Sequence, residues 1–144
     1  SNKLPESGIQ GKFCMPYILA RALKDGKLAL DSFTDQAVQD PLVRSLAEKI
    51  KMEVDPDISD TREGTRPCKV TVHLKDRSLL SDRVDFPKGS PQRRLSSEEL
   101  KLKFTECAGR ILRSEDVDQV FQMLDCLDNL DHLEPLYQLL IGNL

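Results

Sequence analysis

The chain has 144 residues, 39% of them apolar and 31% charged, with seven glycines, eight prolines and a formal net charge of -3. That length suits one domain able to bury about 70% of its unfolded surface, and the composition is globular rather than disordered or fibrous. No apolar run reaches the length of a membrane span, no leader pattern opens the chain, and the negative balance argues against a phosphate-backbone partner. The expectation is a cytoplasmic protein with neither nucleic acid nor a membrane as partner. Ser1-Asn2 reads as the scar of an expression tag, leaving 3–144 as a single domain.

In chain order, the first predicted helix starts at Pro16, a residue preorganised for a first helical turn. Ile18, Leu19, Ala22 and Leu23 give it an apolar stripe, and Gly26 stands where a left-handed cap would end it. Asp31-Ser32 opens a short turn of helix carrying Phe33, Ala37 and Val38 inward. Asp40-Pro41 opens the next helix, with Asp40 as cap and Leu42, Val43, Leu46, Ala47 and Ile50 on its inner face. A short strand is expected around Lys51–Val54, then an exposed loop over 55–67.

The period then changes from 3.6 to 2. Cys68, Val70, Val72 and Leu74 alternate with Lys69, Thr71, His73 and Lys75, which describes a strand with one wet face. Asp76-Arg77-Ser78 makes the turn into a second strand with Leu80, Val84 and Phe86, and Asp82 breaks its alternation as a bulge or edge residue would. A cationic loop over 87–95 leads to Ser96 and Glu99, spaced as a capping box. The helix that follows is expected to bury Leu100, Phe104, Cys107, Ala108 and Ile111. Ser114 is expected to cap another, burying Val117, Val120, Phe121, Leu124 and Leu127, and a last one uses Leu136, Tyr137, Leu140 and Ile141. The fold class is α+β: a small antiparallel sheet of two to three strands covered by about five helices.

The chemistry offers little for an independent enzyme. Cys14, Cys68, Cys107 and Cys126 include no close pair, and His73 and His132 lie far apart, so neither a structural zinc site nor a disulfide framework is expected. Cys14, Cys107 and Cys126 read as small core residues. No phosphate loop, nucleophile elbow, zincin pair or calcium loop occurs. Two places remain. Tyr17, at a helix start, can present its phenol to an adjoining cavity, although spacing alone favours a core tyrosine. Lys88, Arg93 and Arg94 can hold a carboxylate by charge-assisted contacts, or can simply be solvated.

These residues fall inside two blocks with a family likeness. Residues 12–55 keep Lys12, Phe13, Pro16, Tyr17, Asp25, Gly26, Phe33, Asp40 and Pro41 of a lysine-phenylalanine-serine-x-proline-tyrosine run, its DG, its phenylalanine turn and its D-P. Residues 87–104 carry Gly89-Ser90-Pro91 followed by Leu95, Ser96, Glu98, Glu99, Leu100, Lys103 and Phe104. The pattern resembles the carboxy-terminal domain of the MmgE/PrpD family, from Lys12 onward.

The resemblance implies a smaller α+β lid closing on a large amino-terminal helical domain of the same parent chain, which this chain lacks and which holds most catalytic groups. It implies a homodimeric parent enzyme, a dehydratase such as 2-methylcitrate dehydratase of propionate metabolism, or a decarboxylase or epimerase. That enzyme would act on a small polycarboxylate by proton removal next to a carboxylate, without metal or other cofactor. The fragment alone would be inactive. It further implies a catalytic role for Tyr17 as hydrogen-bond donor or proton relay, and substrate contacts for Lys12, Lys88, Arg93 and Arg94. Cys14 replaces the serine common in relatives, and Arg93-Arg94 replaces an asparagine-proline. The alternative is a non-catalytic binding or dimerisation module that keeps the lid fold.

Overall fold

A computed structural model describes residues 3–58 and 67–141. Among these it holds six α-helices and a two-stranded antiparallel sheet, an α+β composition. The chain divides into two compact units, Ser1–Asp57 and Ile58–Leu144, each with its own core.

The first unit is helical. Ser7 caps α1 (Gly8–Gly11), a single turn, and α2 (Met15–Asp25) follows with Pro16 in its first turn. Gly26 ends α2 at φ 73, the left-handed conformation that a side chain would disfavour. Two 3₁₀ turns, Leu30–Phe33 and Ala37–Gln39, lead to Asp40, whose carboxylate accepts from Leu42 N at 3.0 Å and Val43 N at 3.3 Å to start α3 (Pro41–Ala47). The core is Tyr17, Ala20, Val38, Val43 and Ala47, with Leu4, Cys14, Phe33, Leu46 and Ile50 packed around it.

That core lies on a different line of α2 from the predicted stripe. Tyr17 and Ala20 are buried, while Ile18, Leu19 and Ala22 are half-buried and Leu23 is exposed. The reason is electrostatic as much as apolar. Arg21 and Lys24, one turn along from Tyr17 and Ala20, both reach Asp40 at the start of α3, and Arg21 also pairs with Asp25 at 2.7 Å. The ion pairs and the buried face share one side of the helix. No strand forms over 51–54, where Met52 and Val54 are exposed; the sheet has two strands.

In the second unit β1 (Cys68–His73) pairs with β2 (Leu79–Val84) in unbroken register from Cys68↔Val84 to His73↔Leu79. Asp82 sits opposite Val70 without a bulge, on a strand that is an edge in any two-stranded sheet. Val70 and Val72 are half-buried, and β2 is exposed along its length. Asp76 forms the turn by accepting from Ser78 N at 2.9 Å, with Arg77 at φ 69. Three helices follow: α4 (Ser97–Ala108), α5 (Ser114–Asp125) and α6 (Glu134–Ile141). Arg113, not Ser114, is the residue flanking α5, and its guanidinium donates to the buried Asp116 at 2.7 Å.

The second core is Leu112, Val117, Val120 and Leu136, supported by Phe104, Ala108, Met123 and Leu139. Phe104 and Phe121 join α4 to α5 with ring centroids 5.4 Å apart. The predicted inner faces are wider than the buried ones. Leu100, Ile111, Leu124, Leu127 and Tyr137 are exposed, as are Cys107 and Cys126, which therefore are not core residues. Cys126 lies past the end of α5, where its thiol donates to the Gln122 carbonyl at 3.0 Å. All four cysteines are free thiols.

Candidate functional site

The expected site residues are shared between the units: Lys12 and Tyr17 in the first, Lys88, Arg93 and Arg94 in the second.

The Lys12–Tyr17 run is split by the geometry of a helix start. Cys14 is the last extended residue, at φ -105 and ψ 95, and the chain turns into α2 at Met15. Phe13, Cys14, Met15 and Pro16 line an open cavity of about 500 Å³, together with Lys3, Glu48, Ile50 and Met52. Tyr17, one position further, is not among the lining residues. Its side chain is fully buried, with its ring edge-on to Phe33 at 6.2 Å and its hydroxyl donating to the backbone carbonyl of Ser32. Burial pushes the phenol above its ordinary value, with Arg21 pulling part of the way back. In this geometry the phenol is neutral and committed inside the unit, not directed at the cavity. Lys12, at the end of α1, is exposed and does not line the cavity.

Gly11 explains why the tyrosine fits. A Cβ there would meet the Tyr17 ring at 3.1 Å and Val38 at 3.0 Å, so α1 approaches the ring closely only because the residue is glycine. Ser32 was not legible as a partner. It acts through its main-chain oxygen, for which no side-chain signal exists, while its hydroxyl accepts from Ala29 N at 3.1 Å.

The cationic loop is built around a tight turn. Gly89, at φ 91, donates its N–H to the Arg93 carbonyl at 2.7 Å, and Arg93 N returns a bond to the Ser90 carbonyl at 3.0 Å. The loop then delivers Ser96 to the start of α4 as a reciprocal cap: Ser96 Oγ accepts from Glu99 N at 3.2 Å and Glu99 Oε2 accepts from Ser96 N at 3.0 Å. The other Glu99 oxygen takes Lys88 Nζ. That ammonium, with the cap and the nearby Arg93, holds the Glu99 carboxyl below its usual range. Lys88 is thus already paired, whereas Arg93 and Arg94 are exposed. Opposite charges eleven positions apart across a loop carry no local periodicity, so the Lys88–Glu99 pair could not be read from the sequence.

Among the described residues no group of three histidine, cysteine or acidic side chains converges, and no helix is long and apolar enough to cross a membrane. The arrangement orders a helix start beside two exposed arginines. It does not by itself assemble a base and an acid around one reacting atom.

The model of the MmgE/PrpD C-terminal domain matches residues 1–129. Mouse cis-aconitate decarboxylase is 30% identical over 138 residues, which is 96% of this chain and 28% of that protein. Human cis-aconitate decarboxylase is 29% identical over 120 residues, 83% of this chain and 25% of that protein. A mitochondrial 2-methylcitrate dehydratase from Yarrowia lipolytica is 33% identical over 88 residues, 56% of this chain and 16% of that protein. The chain spans about a quarter of the length of the decarboxylases.

Proposed function

The chain belongs to the MmgE/PrpD family as its C-terminal domain, and from that premise we propose that it is the lid of a lyase acting on a small polycarboxylic acid. The observation that carries this reading is the match over residues 1–129 together with relatives named for a decarboxylase and a dehydratase. In this reading the lid closes over a helical domain that supplies the main catalytic groups, and closure excludes water from the reacting carbon. Arg93 and Arg94 offer planar, bidentate donors suited to substrate carboxylates, and Lys12 adds a further cation. Lys88 contributes only by exchanging Glu99 for substrate. Tyr17 serves as hydrogen-bond donor or proton relay, a step that requires its hydroxyl to leave the Ser32 carbonyl.

A second reading is favoured by that same bond and by the Lys88–Glu99 pair. Both groups are satisfied within the chain, as expected of a non-catalytic binding or dimerisation module. Turnover assays on 2-methylcitrate, citrate and cis-aconitate separate the two, run with the 144-residue chain and with the longest polypeptide its gene encodes. Turnover by the longer product alone supports the lid; turnover by neither, with both folded, supports the module.

A further inference from the structure

The segment joining the cationic loop to α4 has a second property that carbon–oxygen chemistry does not use. Arg93 and Arg94 stand three and two residues before Ser96, and all three are exposed. Ser96 is extended, at φ -71 and ψ 164, and Arg94 and Leu95 before it lie outside any helix. We propose that Ser96 is a phosphorylation site for a serine kinase of the arginine-directed class, whose acidic groove reads paired guanidinium groups on the amino-terminal side of the acceptor.

The chemistry balances with ATP as co-substrate. Ser96 Oγ gives its proton to the kinase's carboxylate base and forms an ester bond to the γ-phosphorus, the β–γ anhydride bond breaks, and ADP leaves. Ser97, the next hydroxyl, begins α4 and has the arginines four and three positions before it, so it shares only one of the two spacings that Ser96 has. In the unmodified chain the Ser96 hydroxyl accepts from Glu99 N and bonds the Glu98 carboxylate. A kinase needs that first helical turn to open, and its position at an exposed helix end, where fraying is least costly, permits this.

The product has a defined local effect. A phosphoryl group brings about 1.5 to 2 negative charges to a point flanked by Glu98 and Glu99 on one side and Lys88, Arg93 and Arg94 on the other. It repels the Glu99 carboxylate and offers Lys88 a stronger anion, so the Lys88–Glu99 pair is exchanged for a Lys88–phosphate pair. The loop's cations are then neutralised. Their loss to a substrate carboxylate rests on the lid reading; the assignment of the acceptor does not.

The test uses the 144-residue chain with ATP and a purified arginine-directed serine kinase, read by intact mass and fragment masses. The expected result is one phosphoryl group on Ser96 of the folded chain, absent from Ser96→Ala and Ser96→Asn, the second of which keeps a helix-capping acceptor. Ser97→Ala is expected to be modified as the parent is, and Arg93→Ala and Arg94→Ala roughly tenfold more slowly. Circular dichroism of each variant separates lost acceptor from lost fold. Phosphate on another residue, incorporation only after heat unfolding, or a rate indifferent to both arginines overturns the proposal.

Discussion

Tyr17 couples two parts of the first unit through one atom, since its hydroxyl in α2 ends on the main chain of the Leu30–Phe33 turn. Tyr17→Phe keeps the ring against Phe33 but leaves the Ser32 carbonyl without its donor, so urea denaturation is expected to show a loss of about 1–2 kcal/mol. The lid reading adds a second expectation for the longer gene product: kcat falling about a hundredfold, beyond any change in stability. Unchanged kcat would leave Tyr17 as packing. Gly8 is a stricter case. A Cβ there would fall 1.8 Å from the Phe33 carbonyl oxygen, and the Gly8 N–H already donates to Asp35 at 2.8 Å. Gly8→Ala must push the turn away from α1, at a cost of about 1–3 kcal/mol or more measured by thermal or urea unfolding.

Between elements, Asp40 adds an ionic link to the apolar core that joins α2 to α3. It caps α3 and takes Lys24 and Arg21 from α2, and the Lys24 ammonium, with the Val43 and Leu42 N–H groups, holds its carboxyl below the ordinary 3.8. A carboxyl depressed in the folded state binds its proton more readily when unfolded. Its contribution is therefore complete above the unfolded value and lost as pH falls through the lower folded one. Asp40→Asn keeps a capping oxygen but no charge, so its stability should fall less steeply than the parent's as pH drops below about 4. Equal slopes in urea titrations across that range would refute this role.

Such boundaries were legible because caps and breakers act locally. Asp40-Pro41, Gly26 and the Ser96–Glu99 box sit where the structure uses them. The period-2 run marked β1, and the Asp76-Arg77-Ser78 turn after it led into β2. What was not legible lay across sequence: the Lys24–Asp40 and Lys88–Glu99 pairs, which bridge 16 and 11 positions, and the line of α2 that faces inward. The expected strand over 51–54 had no partner to complete it. At the candidate site the motif did not tell that Tyr17 would be buried in the core while Phe13–Pro16 line a cavity.

Across the whole molecule, apolar periodicity identifies a face without saying what covers it. Leu102 on α4 is 71% exposed and Ile111 is 66% exposed, while Val120 on α5 is fully buried. Leu102→Lys should change the chain's stability by less than about 0.5 kcal/mol, whereas Val120→Ala should cost about 1–3 kcal/mol in the same denaturation experiment. The two tyrosines, in a chain without tryptophan, fall one to each unit: Tyr17 buried in the first, Tyr137 exposed on α6 in the second. Nature has thereby given each unit its own fluorophore. Replacing either tyrosine by phenylalanine leaves an emission signal from the other unit alone, so the melting of the two units can be followed separately without attaching a dye.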